Sequence, residues 1–150
     1  MLRIERAARS KEPFAVCCLD LGNLAVFNSA YGDSRGDEVI IRLAHIIRDV
    51  LQYQGHTHDF IGHLGGDDLV VMIHAQSAEA VSEAIIQNFD AVIPSFYDAA
   101  DREQGYLVQR NKDGALTQYP VMSLSIAIVQ NEKRPRYRLP HISRFGVDLK

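Results

Sequence analysis

Asp20 and the pair Asp67-Asp68 are the acidic residues of this 150-residue chain whose settings point to chemistry, because they stand where apolar runs meet a turn or end. In Asp59-Phe60-Ile61-Gly62-His63-Leu64-Gly65-Gly66-Asp67-Asp68-Leu69-Val70-Val71-Met72-Ile73, two runs rich in Ile, Leu, Val and Phe flank a double glycine. The runs predict strands. Gly65 and Gly66 are expected to supply the positive-φ positions of a tight two-residue hairpin turn, which would present both carboxylates. Gly-Gly-Asp is also ordinary turn chemistry, so the hairpin alone does not specify a site. A second acidic strand end changes the reading. The near-continuous apolar run Phe14-Ala15-Val16-Cys17-Cys18-Leu19, of the kind that makes a strand covered on both faces, ends at Asp20. Two carboxylate-bearing strand ends predict a metal–phosphate site.

The elements that must position these groups follow from periodicity. After the strand ending at Leu21, Asn23 to Tyr31 predicts a short helix, and Gly32-Asp33-Ser34-Arg35-Gly36 a turn. Val39, Ile40, Leu43, Ile46, Ile47, Val50 and Leu51 recur at helical spacing and define one apolar face that needs a sheet to cover. Past the double-glycine hairpin, Ser77 is a candidate N-cap for a helix running through Ala84, Ile85 and Phe89. Gly105 to Gln109 and Ala115 to Tyr119 flank Asn111-Lys112-Asp113-Gly114 as a second hairpin. Val121 to Val129 alternates as a further strand, with Ser123 and Ser125 opposed to Met122, Leu124 and Ile126. Leu2 to Ser10 is amphipathic, and His141 to Lys150 reads as a final short helix. Hairpin-linked strands between helices imply an α/β (α+β) fold, with a largely antiparallel sheet and helices packed on it.

Composition narrows the class. With 47% hydrophobic and 23% charged residues, the chain can bury the core of one domain. A formal net charge of −3 gives no global pull toward nucleic acid or anionic membrane, so an anionic ligand must be held by a local site or a metal. The basic cluster Lys133, Arg134, Arg136 and Arg138, broken by Pro135 and Pro140, reads as a solvated loop. Adjacent strand residues leave opposite faces, so Cys17 and Cys18 cannot bridge each other; they read as core residues in a reducing compartment. No apolar stretch reaches membrane-spanning length and no signal-peptide core is visible, which predicts a cytoplasmic protein. A rival site is a transition metal on His56, His58 and His63.

Four segments in order resemble the GGDEF domains of diguanylate cyclases over nearly the whole chain. Leu19-Asp20-Leu21 resembles the family's first strand, and Phe27-Asn28 through Tyr31-Gly32 and Arg35-Gly36-Asp37-Glu38 its ND-x-x-GH-x-x-GD segment. Gly65-Gly66-Asp67-Asp68-Leu69 sits at the signature, and Pro120 to Ala127 resembles the late S-I-G-V-A strand. The resemblance implies a single GGDEF-type domain over 1–150, of nucleotidyl cyclase and ferredoxin-like palm architecture. It further implies that 1–12 is the end of a connecting helix and that the chain stops before a terminal phosphate-contacting lysine.

Family chemistry joins two GTP molecules held on facing domains, each 3′-hydroxyl attacking the other α-phosphate to give cyclic di-GMP. The resemblance implies Mg²⁺ held by Asp20, the Leu21 carbonyl and Asp67, with catalytic roles for Asp67 and Asp68, Asp67 being the candidate base. It implies guanine recognition by Asn28 and Asp37, since a carboxylate can accept both N1–H and the exocyclic amine. Capping of the long helix is the competing role for Asp37.

Departures from the pattern are specific. The family's Asp-x-Asp-x-Phe-Lys reads Asp20, Gly22, Leu24 and Ala25 at its defining positions, and the signature ends in Asp68-Leu69 rather than Glu-Phe. The inhibitory Arg-x-x-Asp appears as His56-Thr57-His58-Asp59, and histidine cannot reproduce the arginine fork that grips phosphate and guanine. The expectation is a degenerate GTP- and Mg²⁺-binding regulatory module with weak or no cyclase activity. The partners implied are a second copy of the domain and an attached phosphodiesterase or sensor domain. The alternatives are an active cyclase and a pure interaction module.

Overall fold

The computed structural model describes residues 12–56 and 59–130. The expected Leu2–Ser10 and His141–Lys150 helices, the basic cluster at Lys133–Arg138 and His58 lie outside them. Six strands and four α-helices are described: β1 Phe14–Gly22, α1 Leu24–Tyr31, α2 Asp33–Gln54, β2 Phe60–Gly65, β3 Asp68–His74, α3 Ala78–Val92, α4 Ala99–Gln104, β4 Tyr106–Arg110, β5 Leu116–Pro120 and β6 Ser123–Gln130. Short 3₁₀ turns cover Ala75–Ser77 and Ile93–Phe96.

β1, β2, β3 and β6 form one sheet in the order β2-β3-β1-β6, and every neighbouring pair is antiparallel. β1 and β2 therefore point the same way with β3 between them, so α1 and α2 must cross over one face of the sheet. α3 makes the second crossover, from β3 to β6. The result is an antiparallel sheet with its helices on one face, the palm-like arrangement expected from the sequence.

Alternation sorts the side chains between the two faces. Ala15, Cys17, Leu19 and Leu21 of β1 and Leu69, Val71 and Ile73 of β3 face the helices. They meet Val39, Leu43, Ile46, Ile47 and Val50 from α2 and Val81, Ile85 and Phe89 from α3. Phe27, Phe89, Leu43 and Ile47 are among the largest fully buried side chains, and burial of each contributes about 1.5–3 kcal/mol. Val16 and Val70 form a smaller apolar cluster on the other face, packed by Phe14 and Cys18.

Three details depart from the sequence expectation. Gly32 to Gly36 is not a turn: α2 begins at Asp33, and Gly32, at φ 92°, is the single break separating it from α1. Gly36 lies inside the helix because a Cβ there would stand 1.8 Å from Asn28 Oδ1, so the glycine serves close packing rather than turning. Ser77 makes no capping bond to α3, its hydroxyl lying 3.0 Å from His56 Nε2 instead. The β4–β5 hairpin forms as expected but as a separate two-stranded sheet.

Candidate functional site

β1 and β3 pair from Phe14↔His74 to Leu19↔Leu69. One further step in that register sets Asp20 across from Asp68, both on the face away from the helices. Asp20 also pairs with Ser125 of β6. An open cleft of about 190 Å³ lies over these strand ends, lined by Cys18, Asp20, Asp68, Val70, Ser125 and Ala127 among others. Asp20 and Asp68 are exposed, and neither carboxylate makes a hydrogen bond or ion pair with a described residue. Two carboxylates on one face of the sheet, neither paired within the chain, leave oxygen donors that a bound cation could use. Asp68 also raises the pKa of the half-buried Cys18 thiol, after the larger effect of burial.

The hairpin differs in detail from the expected one. Gly65 pairs with Asp68, so the two loop residues are Gly66 and Asp67 rather than the two glycines. Gly66 has φ 57° and Gly65 φ 121°, while Asp67 is not among the positive-φ residues. Positive φ at the first loop position alone is the pattern of a type II′ turn. Between His63 and Gly65 the register shifts through a bulge. Asp67 thus sits half-buried in the turn itself, and Asp68, not Asp67, is the hairpin carboxylate that lines the cleft with Asp20. Leu21, the third expected metal-site residue, has its side chain buried in the core, leaving only its backbone as a possible ligand.

Asn28 and Asp37 are carried by α1 and α2. Asn28 Oδ1 is buried without a hydrogen-bond partner and lies against Gly36. With its oxygen turned inward, the amide has its N–H donors to offer a ligand. Asp37 is exposed, with no hydrogen bond to the helix start. Because α2 begins at Asp33, Asp37 stands beyond the first four residues, whose N–H groups need capping, so the capping role loses its geometric basis. Phe27, Tyr31 and Tyr97 pack together as tilted and edge-to-face rings, with centroids 4.8 to 5.7 Å apart. Arg35 reaches the Phe96 carbonyl at 2.8 Å and Asp98 at 3.0 Å, and its guanidinium lies 4.3 Å from the Tyr31 ring centroid. Tyr31 hydroxyl donates to Asp101. These contacts tie the α1–α2 corner to the Phe96–Asp101 segment. Sequence reasoning missed them, because Phe96 to Asp101 carry no periodic signal.

The histidines do not converge. His63 donates from Nε2 to the Gly66 carbonyl at 2.8 Å, whereas the His56 ring lies tilted against that of His74, centroids 5.2 Å apart, and meets Ser77. Among the described residues no group of three His, Cys, Asp or Glu side chains could hold a metal, and His58, the third member of the histidine alternative, lies outside them. Mg²⁺, by contrast, is commonly held by one or two carboxylates plus substrate phosphates, and Asp20 with Asp68 fits that donor set. At the position of the Arg-x-x-Asp motif, the Asp59 carboxylate accepts the His56 backbone N–H at 2.6 Å.

A family model described as diguanylate cyclase, GGDEF domain matches residues 2–107. A diguanylate cyclase of Vibrio cholerae is 30% identical over 87 residues, 56% of this chain and 26% of that protein. The bifunctional diguanylate cyclase/cyclic di-GMP phosphodiesterase MucR of Pseudomonas aeruginosa is 34% identical over 87 residues, again 56% of this chain but 12% of that protein. This chain therefore spans a minor part of the curated relatives it matches. Among solved structures, the active GGEEF domain of a Vibrio cholerae diguanylate cyclase superposes with a TM-score of 0.58 at 18% identity, covering 95% of this chain and 77% of that one. Among the described residues, no helix is long and apolar enough to cross a membrane.

Proposed function

The chain belongs to the diguanylate cyclase GGDEF family, and from that premise we propose that it is a cytoplasmic GTP- and Mg²⁺-binding regulatory module of cyclic di-GMP signalling with weak or no cyclase activity. The observation that carries the reading is the pair of unpartnered carboxylates, Asp20 and Asp68, facing one open cleft at the strand ends. Asp20, the Leu21 carbonyl and Asp68 hold the cation, with Asp67 beside them in the turn. Bound there, Mg²⁺ gathers phosphate oxygens and spreads their charge. Asp37 accepts from guanine N1–H and the exocyclic amine, and the Asn28 amide donates to a guanine acceptor.

The impairment lies in what surrounds this cleft. Gly22, Leu24 and Ala25 stand where the motif has an acidic residue, an aromatic and a cation. Asp68, one methylene shorter than glutamate, shifts its carboxylate by about an ångström, an error that can cost on the order of 10²-fold where rate depends on positioning. Feedback by cyclic di-GMP at His56 and Asp59 is weak, since both groups are engaged within the chain. A phosphodiesterase or sensor domain in the same protein is the partner that such a module would regulate.

The test is to fuse the chain to a constitutive coiled coil, which supplies the second domain at high effective concentration, and to assay cyclic di-GMP formation. Near-background turnover is expected, with some activity restored by Gly22→Asp, Ala25→Lys and Asp68→Glu together. Ready turnover by the unsubstituted fusion would overturn the regulatory reading in favour of an active cyclase. Titrating the same samples with cyclic di-GMP checks the inhibitory site: tight binding abolished by His56→Ala would contradict it.

A further inference from the structure

We propose that His63 is a positioning residue that holds the hairpin tip, and with it Asp67 and Asp68, from the side opposite the cleft; the proposal rests on the nucleotide reading above. His63 pairs with Leu69, whose side chain is buried on the helix side, so His63 stands on that side too. Asp68, the next residue, faces the other way, toward Asp20. His63 therefore does not share the cleft with the carboxylates.

The tip needs such a contact. β2 enters the turn through a bulge, followed by Gly65 at φ 121° and Gly66 at φ 57°. Glycine gains no restriction from a side chain, so two in succession leave the backbone bearing Asp67 free to adopt several conformations. The Asp67 and Asp68 carboxylates make no hydrogen bond among the described residues that would choose one of them. The Nε2–H of His63, 2.8 Å from the Gly66 carbonyl, closes the bulge across three residues and ties the first loop residue to β2. A carbonyl only accepts, so Nε2 carries the proton.

The experiment uses the full chain, with GTP binding measured by calorimetry with Mg²⁺ and with EDTA, and backbone ¹⁵N order parameters measured for Gly66 to Asp68. His63→Ala should lower affinity for GTP with Mg²⁺ by about fivefold to tenfold, the equivalent of one hydrogen bond. Binding in EDTA and the melting temperature should hold, while the order parameters at the tip fall. His63→Gln, which keeps an N–H donor, should restore both readouts. Parent-like affinity and order parameters in His63→Ala would overturn the proposal, as would equal losses in both nucleotide arms. A parent chain that binds no GTP would instead sink the nucleotide reading, and the order parameters of the two variants would still decide the tie.

Discussion

Cys17 and Cys18 adjoin in sequence yet leave opposite faces of β1, and the difference sets their chemistry. Cys17 is 2% exposed in the helix-side core, 3.7 Å from Ser82 Oγ, and burial pushes its thiol pKa up to about 11 from 9.0. A raised folded-state pKa means that the native chain keeps its proton where the unfolded chain has lost it. The associated stability is fully present below about pH 9 and is lost as pH rises to about 11, on the order of 3 kcal/mol. Urea unfolding at pH 8 and at successive steps to pH 11 checks this: the parent should lose stability across the window, and Cys17→Ala should show a flatter profile from a lower start. A parent slope retained in full by Cys17→Ala would assign it to other groups. That both cysteines are unbridged strand residues was legible from adjacency alone. That Cys18 lines the cleft was not, because its surroundings are set by pairing with β3 and β6.

At the scale of elements, legibility followed signal strength. β1, the stripe of α2 and both hairpins were readable because apolar period and turn residues agreed. The start of α2 was misread, since Gly32 and Gly36 look alike in sequence while one breaks a helix and the other lies within it. α4, Ala-Ala-Asp-Arg-Glu-Gln, has no apolar face to announce it and is secured by tertiary contacts such as Tyr31 to Asp101. The register that brings Asp68 rather than Asp67 beside Asp20 is set by the long-range pairing of β1 with β3, which no local pattern marks. Gly36 offers the sharpest test at this scale. Alanine gains up to about 1 kcal/mol over glycine in a helix interior, but its Cβ would meet Asn28 Oδ1 at 1.8 Å and Cγ at 2.7 Å, and must displace that amide. Gly36→Ala should therefore keep the melting temperature within a few degrees yet weaken GTP binding as Asn28→Ala does. Unchanged GTP affinity would separate Asn28 from recognition.

For the molecule as a whole, a sheet covered by helices on one face leaves its other face and strand ends to carry the carboxylates. The formal net charge of −3 offers a triphosphate no general attraction, so in the proposed reading affinity would rest on the cation and the base contacts. This division was visible in composition, and the fold class in the order of elements; the convergence of Asp20 with Asp68 required the sheet. The most direct measurement is a calorimetric titration of the full chain with GTP and Mg²⁺, repeated on Asp37→Ala and Asn28→Ala with their melting temperatures. The account predicts binding by the parent, and a loss of about 1.5–3 kcal/mol for Asp37→Ala, as for a hydrogen bond to a charged group. Asn28→Ala should bind more weakly as well, and both variants should melt as the parent does. A parent that binds no GTP, or variants that bind it as tightly as the parent, would contradict the account.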